Sequence, residues 1–305
     1  MKRRLFSLFL TATAMGILIL DSKSAVLSAA EGVDLCIRTV IPSLFPFFVL
    51  SIYLTGILGS KSILLSGFLG GYPVGAQTAA ESWRTGNMTR ETANRMLLFC
   101  SQAGPSFLFG MVAWQFPNSG YAWLLWVIQL LSAWSVAHLF QVEKQRTISV
   151  SHSVTLSDAM KHAARAMASV CGWVVIFRVV IGFARRCGLW LLPQWSQVLI
   201  SGILELTSGC LMLSEVSSLP LRILLAAVML NFGGICVVMQ TAAVTDGLDI
   251  RYYILGKLLQ TVFSLLYSLC FLGYFAALIP IFLIFLLKKR SNMRKNSSIP
   301  DPVGV

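Results

Sequence analysis

Apolar residues in this chain run in blocks of about 20, the length that carries a helix across a bilayer core, with little of the alternation or narrow striping of soluble elements. The blocks predict membrane helices at 5–20, 33–57, 92–116, 121–141, 166–184, 221–245, 253–273 and 275–288. As one helix, Tyr252 to Leu287 would measure about 54 Å at 1.5 Å per residue. That exceeds a bilayer, so the stretch is divided near Gly273. Two further apolar stretches are too interrupted to be ordinary spans. Gly67, Gly70, Gly71, Pro73 and Gly75 break the one at 62–83; Gly202, Glu205, Thr207, Ser208 and Gly209 break the one at 196–216. Non-helical backbone at membrane depth is tolerated only where it is buried in protein or lines a cavity. Both stretches therefore predict re-entrant helical hairpins.

Each half of the chain reads helix, broken hairpin, broken helix, helix. Gln77 lies 27 residues before Gly104, and Glu205 lies 28 before Gly233. A re-entrant hairpin adds no crossing, so each half crosses three times and the second is inverted relative to the first, the plan of many secondary transporters. The expected fold is an all-α polytopic membrane protein of about eight transmembrane helices with two inverted repeats, each containing a re-entrant hairpin and a broken helix. Residues 1–30 form an N-terminal transmembrane helix or signal-like segment with an outer loop. The repeats occupy 31–141 and 166–273, a basic connector fills 142–165, and 274–305 holds the last helix and a basic tail. Within the connector, Ser157 to Arg165 reads as an interfacial helix with Ser157 or Asp158 near its N-cap.

Composition agrees with the class: 56% of residues are hydrophobic and 12% charged, which excludes an ordinary soluble enzyme. A net charge of +12 would point to nucleic acid in a soluble chain. Here Lys and Arg concentrate between apolar blocks and at both ends, so the charge reads as the positive-inside bias and nucleic acid is not an expected partner. That bias places both termini inside the cytoplasmic membrane, with the lipid bilayer as the main surroundings; Arg185 and Arg186 are the exceptions. The seven cysteines are scattered without C-x-x-C spacing, and His138, His152 and His162 show no metal pattern. With no Walker sequence and no catalytic set, neither an enzyme nor a bound cofactor is expected.

Candidate chemistry sits at the interruptions. Gln77 and Glu81, four apart, share a helical face beside Thr78. They suit a hydrogen-bonding solute or a coupling Na+ or H+, unless Glu81 simply pairs with Arg84 near the surface. Glu205, with Thr207 and Ser208, has no basic residue within ten positions, and a charge at membrane depth normally faces a cavity or a partner. Ser101, Gln102 and Ser106 surround Gly104-Pro105, where proline removes a helical hydrogen bond. Asn231 precedes Gly233-Gly234, and Gln240 follows it. Freed backbone groups there serve either solute and ion contacts or close helix packing. Arg178 lies inside an apolar run and is read as structural pairing, or as a partner for Glu205 or an anionic solute. Asp34 and Arg38 form an i, i+4 pair, and Pro42 and Pro46 are expected to kink their helix.

Four stretches carry a family likeness: V-I-P-S-L-F-P-F-F-V-L-S (40–51), G-G-Y-P-V-G-A-Q-T-A-A-E (70–81), M-L-L-F-C-S-Q-A-G-P-S-F-L-F-G (96–110) and N-F-G-G-I-C-V-V-M-Q (231–240). In this order and spacing the chain resembles the nucleoside-recognition gate-domain membrane proteins, most closely the YlbJ-type sporulation integral membrane protein family. More distantly, Gln77-Thr78 followed by Met88-Thr89-Arg90 is similar to the concentrative nucleoside transporters. Glu81 is displaced by two residues from the position that likeness would give it, with Ala79 and Ala80 between. The resemblance thus implies a fold and a cavity for a small polar solute, nucleoside-like in the distant relatives, rather than a particular base-reading pair. It also implies a spore-forming host, and its rival implication is a non-transporting scaffold for sporulation membrane partners or a homo-oligomer.

Overall fold

A computed structural model describes residues 2–58, 67–140, 155–281, 283–284 and 288. The expectations for 59–66 of the first hairpin, for 142–154 of the connector and for the tail beyond 288 lie outside the described residues. Among those described there is no strand, and five helices are long and apolar enough to cross a membrane: Ser22–Leu54, Gly120–Phe140, Leu156–Arg186, Leu219–Val244 and Ile250–Phe271.

The chain begins with α1 (Lys2–Leu20), which a turn at Asp21 joins to α2 (Ser22–Leu35). A wide π-helical turn at Cys36–Val40 leads into α3 (Ile41–Leu58), which contains Pro46. After the first interruption come α4 (Val74–Arg84) and α5 (Arg90–Leu97). Thr89 caps α5 by accepting from the Thr92 amide at 3.2 Å, satisfying one of the donors a helix start leaves free. The stretch 92–116 is not one helix. Residues 98–104 leave the helix, the main chain is extended at Gly104, and short helical pieces follow from Pro105 to Gln115. Then come α6 (Gly120–Phe140) and α7 (Leu156–Arg186).

The cap of α7 corrects the sequence reading. Thr155, not Ser157 or Asp158, is the N-cap: its Oγ1 accepts from the Asp158 amide at 3.1 Å and donates to the Asp158 carboxylate at 2.7 Å. This reciprocal arrangement three residues apart binds both ends of the first turn, and the interfacial and spanning parts form a single helix. In the second half, α8 (Gln194–Leu204) stops at extended Glu205 and α9 (Leu206–Leu211) follows directly. Next come α10 (Leu219–Phe232), α11 (Gly234–Val244) and α12 (Ile250–Phe271). Gly233 and Gly234 separate α10 from α11 with φ of 84° and 83°, a backbone that only glycine adopts without strain.

Packing follows small residues. At Gly32, α2 crosses α7 against the Val175 Cα, where an added Cβ would come within 3.0 Å. Gly67 and Gly75 press on the Cys100 carbonyl, and Gly256 of α12 presses on the Leu98 backbone. Close backbone approach through glycine is a common way to associate helices in lipid, where apolar burial adds little.

Arginines tie the halves together reciprocally. Arg84, ending α4, donates to the carbonyls of Val244 (3.3 Å), the last residue of α11, and Asp246 (3.0 Å) just beyond it, and Arg90 donates to Gly247 (2.9 Å). In the other direction, Arg222 of α10 donates to the Gln115 carbonyl at 2.8 Å and to Val216 at 3.0 Å.

Candidate functional site

The interruptions converge. Gly71 and Gly104 touch, a Cβ on Gly71 meeting the Gly104 nitrogen at 3.1 Å, and Gly234 lies against the Gly202 and Ile203 carbonyls. Tyr72 joins these two pairs: its hydroxyl donates to the Leu230 carbonyl at 2.8 Å, and its ring lies over Gly233. Between them is a cavity with a free volume of about 40 Å³, lined by Gly71, Tyr72, Gly104, Glu205, Thr207 and Gln240 with apolar neighbours from α3 and α7. At roughly 10–15 Å³ for each water-sized centre, it holds a few waters or a small ion.

Glu205 supplies the cavity's carboxylate and is 2% exposed. The break puts it at the start of α9, where Oε1 accepts from the Thr207 amide (2.8 Å) and Oε2 accepts from the Ser208 amide and hydroxyl (both 2.6 Å). Unsatisfied amides of a helix start thus take the place of water. Arg178 reaches Glu205 only through Ser208, donating to its Oγ at 3.3 Å while pairing with Glu31 at 2.6 Å.

A second buried charge stands behind Tyr72. Lys257, 1% exposed and inside α12, donates to the Ser101 main-chain carbonyl (2.5 Å), the Tyr72 hydroxyl (3.0 Å) and the Gln260 side-chain carbonyl (3.1 Å), with the Gln102 side-chain oxygen at 3.5 Å. Its ammonium also sits 4.7 Å from the Tyr72 ring centroid, a cation–π distance. Gln260 in turn donates to the Leu98 carbonyl at 2.6 Å and accepts from Gln102 at 2.7 Å. Of the carbonyls that residues 98–104 free from helical pairing, α12 takes up those of Leu98 and Ser101, while Gln129 of α6 takes up that of Ala103.

The chain is similar to a sporulation protein of known name. Over an alignment of 327 positions, spanning 85% of this chain and 79% of the relative, it is 26% identical to the sporulation integral membrane protein YlbJ of Bacillus subtilis (strain 168). No family model matches the chain, and no solved structure matches it.

The structure sorts the candidate residues. Glu205, Thr207 and Gln240 line the cavity, and Ser208 holds Glu205 from behind. Gln77 and Glu81 do not line it. They bond each other at 3.1 Å on the exposed face of α4, while Arg84 turns to the second half instead of pairing with Glu81. Thr78 donates to the Val74 carbonyl. Ser101 and Gln102 belong to the Lys257 cluster. Asn231 donates to the Ala227 carbonyl, and its Oδ1, like Ser106 Oγ, is buried without a hydrogen-bond partner among the described residues. Asp34 and Arg38 pair at 2.5 Å on an exposed face.

Sequence reasoning passed over Tyr72, Lys257 and Gln260. The signal for the last two was a lysine with a glutamine three residues on, well inside an apolar run, where an ionisable side chain is a functional candidate by default.

Proposed function

We propose that the protein binds a small polar solute in the cavity beside Glu205 and moves it across the cytoplasmic membrane by alternating access, without chemical conversion. The observation that carries this is the meeting of four main-chain interruptions around a buried carboxylate that forms no ion pair among the described residues. Helices broken at a common depth give up hydrogen-bonding groups that a solute or coupling ion then uses.

An inverted-repeat plan, with halves at 31–141 and 166–273 and both termini inside, is supported by the arginine ties. The spacing of 129 positions from Gly104 to Gly233 recurs from Gln115 to Val244, and the carbonyl of each of these last two is held by an arginine from the opposite half. The two acceptors are equivalent under that spacing; the two arginines, Arg84 and Arg222, are not. The remaining three spans of the eight-helix plan would come from α1, the broken stretch 92–116 and the C-terminal region.

With about 40 Å³ free, this conformation suits a small ion or hydrated group, and a nucleoside-sized solute requires the interrupted segments to part. The tightness also favours a second reading, a non-transporting scaffold. The relative's printed name links that protein to sporulation, and in this reading the chain serves spore formation by holding membrane partners.

Thermal stabilisation of the purified protein separates the two. The panel contains nucleosides, nucleobases and small anions, with and without sodium. A ligand at about a hundredfold over its Kd stabilises the folded state by about 2.7 kcal/mol, enough for a clear upward shift. A shift kept in Gln77→Ala and lost in Glu205→Ala places the solute in the cavity. A flat panel sinks transport in favour of the scaffold.

A further inference from the structure

Lys257 forms no ion pair among the described residues, yet its bonding is complete. An ammonium has three N–H groups, and the three nearest acceptors, Ser101 O, Tyr72 Oη and Gln260 Oε1, take one each. A neutral amine has two N–H groups and a lone pair, so either one of these oxygens faces that lone pair with no hydrogen between them, or Tyr72 turns its proton to the amine and gives up Leu230.

The acceptors belong to three separate parts of the molecule: the unwound segment 98–104, the loop before α4, and α12 itself. Tyr72 extends the tie to a fourth, because its own proton goes to Leu230 in the last turn of α10. The residue that the ammonium holds is also a wall of the cavity.

We propose that Lys257 is a proton-binding site that latches the cavity: with the proton bound, Tyr72 is held between the two broken helices, and release of that single proton frees Tyr72 and lets the broken helices separate. The proton passes to water or buffer, and no other bond is made or broken. What the open cavity admits rests on the transport reading; the latch itself does not.

The titratable neighbours are accounted for. Tyr72, Cys100 and Tyr253 lie around the ammonium. On elements packed against α12, Glu91 and Arg95 pair with each other, Arg90 and Arg222 are bound to carbonyls, and His138 stacks on Trp134. Cys236 of α11 accepts from Gln240.

Hydrogen exchange on the full chain in lipid nanodiscs tests the latch. It is followed from about pH 6 to about pH 10, a range that brackets perturbed and free lysines, with labelling times scaled to the intrinsic rate. In the wild type, protection over 101–104 and 233–236 should fall by about tenfold, the loss of one charge-assisted hydrogen bond, in a step of one proton as pH rises. Lys257→Arg, which stays charged, should hold its protection throughout, and Lys257→Met should show no step. Tyr72→Phe should keep the step at 101–104 and lose it at 233–236. A wild type without a step, a step surviving in Lys257→Met, or a Lys257→Arg profile matching the wild type overturns the proposal. A flat solute panel beside an intact step would sink transport and spare the latch.

Discussion

Glu205 and Lys257 are both buried, both charged by type, and both placed beside an interrupted helix, yet they are satisfied by opposite ends of the peptide group. Glu205 draws on amides that the start of α9 leaves free. Lys257 draws on a carbonyl that residues 98–104 release when they unwind. A helix break sets free donors on one side and acceptors on the other, so one structural device accommodates either sign of charge without a counter-ion. The difference lies in consequence. The carboxylate is held by its own helix and lines the cavity, whereas the ammonium is held by three elements and acts on the cavity through Tyr72.

The comparison is broken most forcefully at the glycine that seats Lys257. Gly256→Ala drives a Cβ into the Leu98 backbone, which cannot yield locally, and overpacking of this kind costs about 1–3 kcal/mol or more. Gly202→Ala, beside the other break, meets chiefly the flexible Met229 side chain and should lower the melting temperature less. Equal losses would mean that the two breaks are equally rigid, and the contrast between their seats would fail.

Removing the charges themselves comes next. Lys257→Met leaves the Ser101 carbonyl without its donor and takes the ammonium from the Tyr72 hydroxyl oxygen, while Gln260 keeps its bond from Gln102; an unsatisfied buried group costs about 1–3 kcal/mol. Glu205→Ala uncaps α9 for about 0.5–2 kcal/mol. Chemical or thermal unfolding in detergent should rank the lysine variant as the less stable. The reverse order would make the carboxylate the main structural tie.

The arginine ties sharpen the picture further. Arg222 makes four bonds to three carbonyls, and Arg84 makes two bonds to two. At about 0.5–1.5 kcal/mol per net bond, Arg222→Ala should lower the melting temperature more than Arg84→Ala. Similar values would show that the extra bonds at Arg222 add nothing.

The smallest effect is at Asp21, outside the spans, where the Arg186 guanidinium holds the carboxyl below its ordinary range. A lowered carboxylate contributes stability above its unfolded pKa and loses it as pH falls through the folded value. Asp21→Asn should therefore flatten the acid limb of the melting-temperature profile slightly, since exposed pairs contribute little. An unchanged acid limb would remove Asp21 from the account.

What the sequence made legible was the position of the breaks, because Gly71, Gly233 and Gly234 mark positive-φ backbone that glycine suits best, and Gly104 marks a close approach to Gly71 that a Cβ would crowd. Glu205 was legible for the same reason any lone carboxylate in an apolar run is. Direction was not. Spacing put Gln77 and Glu81 on one face of α4, and nothing in the spacing showed that the face points away from the cavity. Lys257 hid inside an unbroken helix, where two of the three groups that satisfy it come from residues more than 150 positions earlier. Thr155 was missed because the helix starts sooner than its apolar part.

The exchanged arginines have a further consequence in time. Gln115 waits for Arg222, which lies 107 residues later. At about 5–20 residues per second of synthesis, that is an interval on the order of 5–20 s during which the first half is in the bilayer with its fastener not yet made. Arg84 and Arg90, by contrast, are ready before the carbonyls of Val244 and Gly247 appear. The nascent first half is thus a receptor for the second, and a chain stopped between the two would expose its unfinished seams to whatever insertion or degradation machinery meets it first.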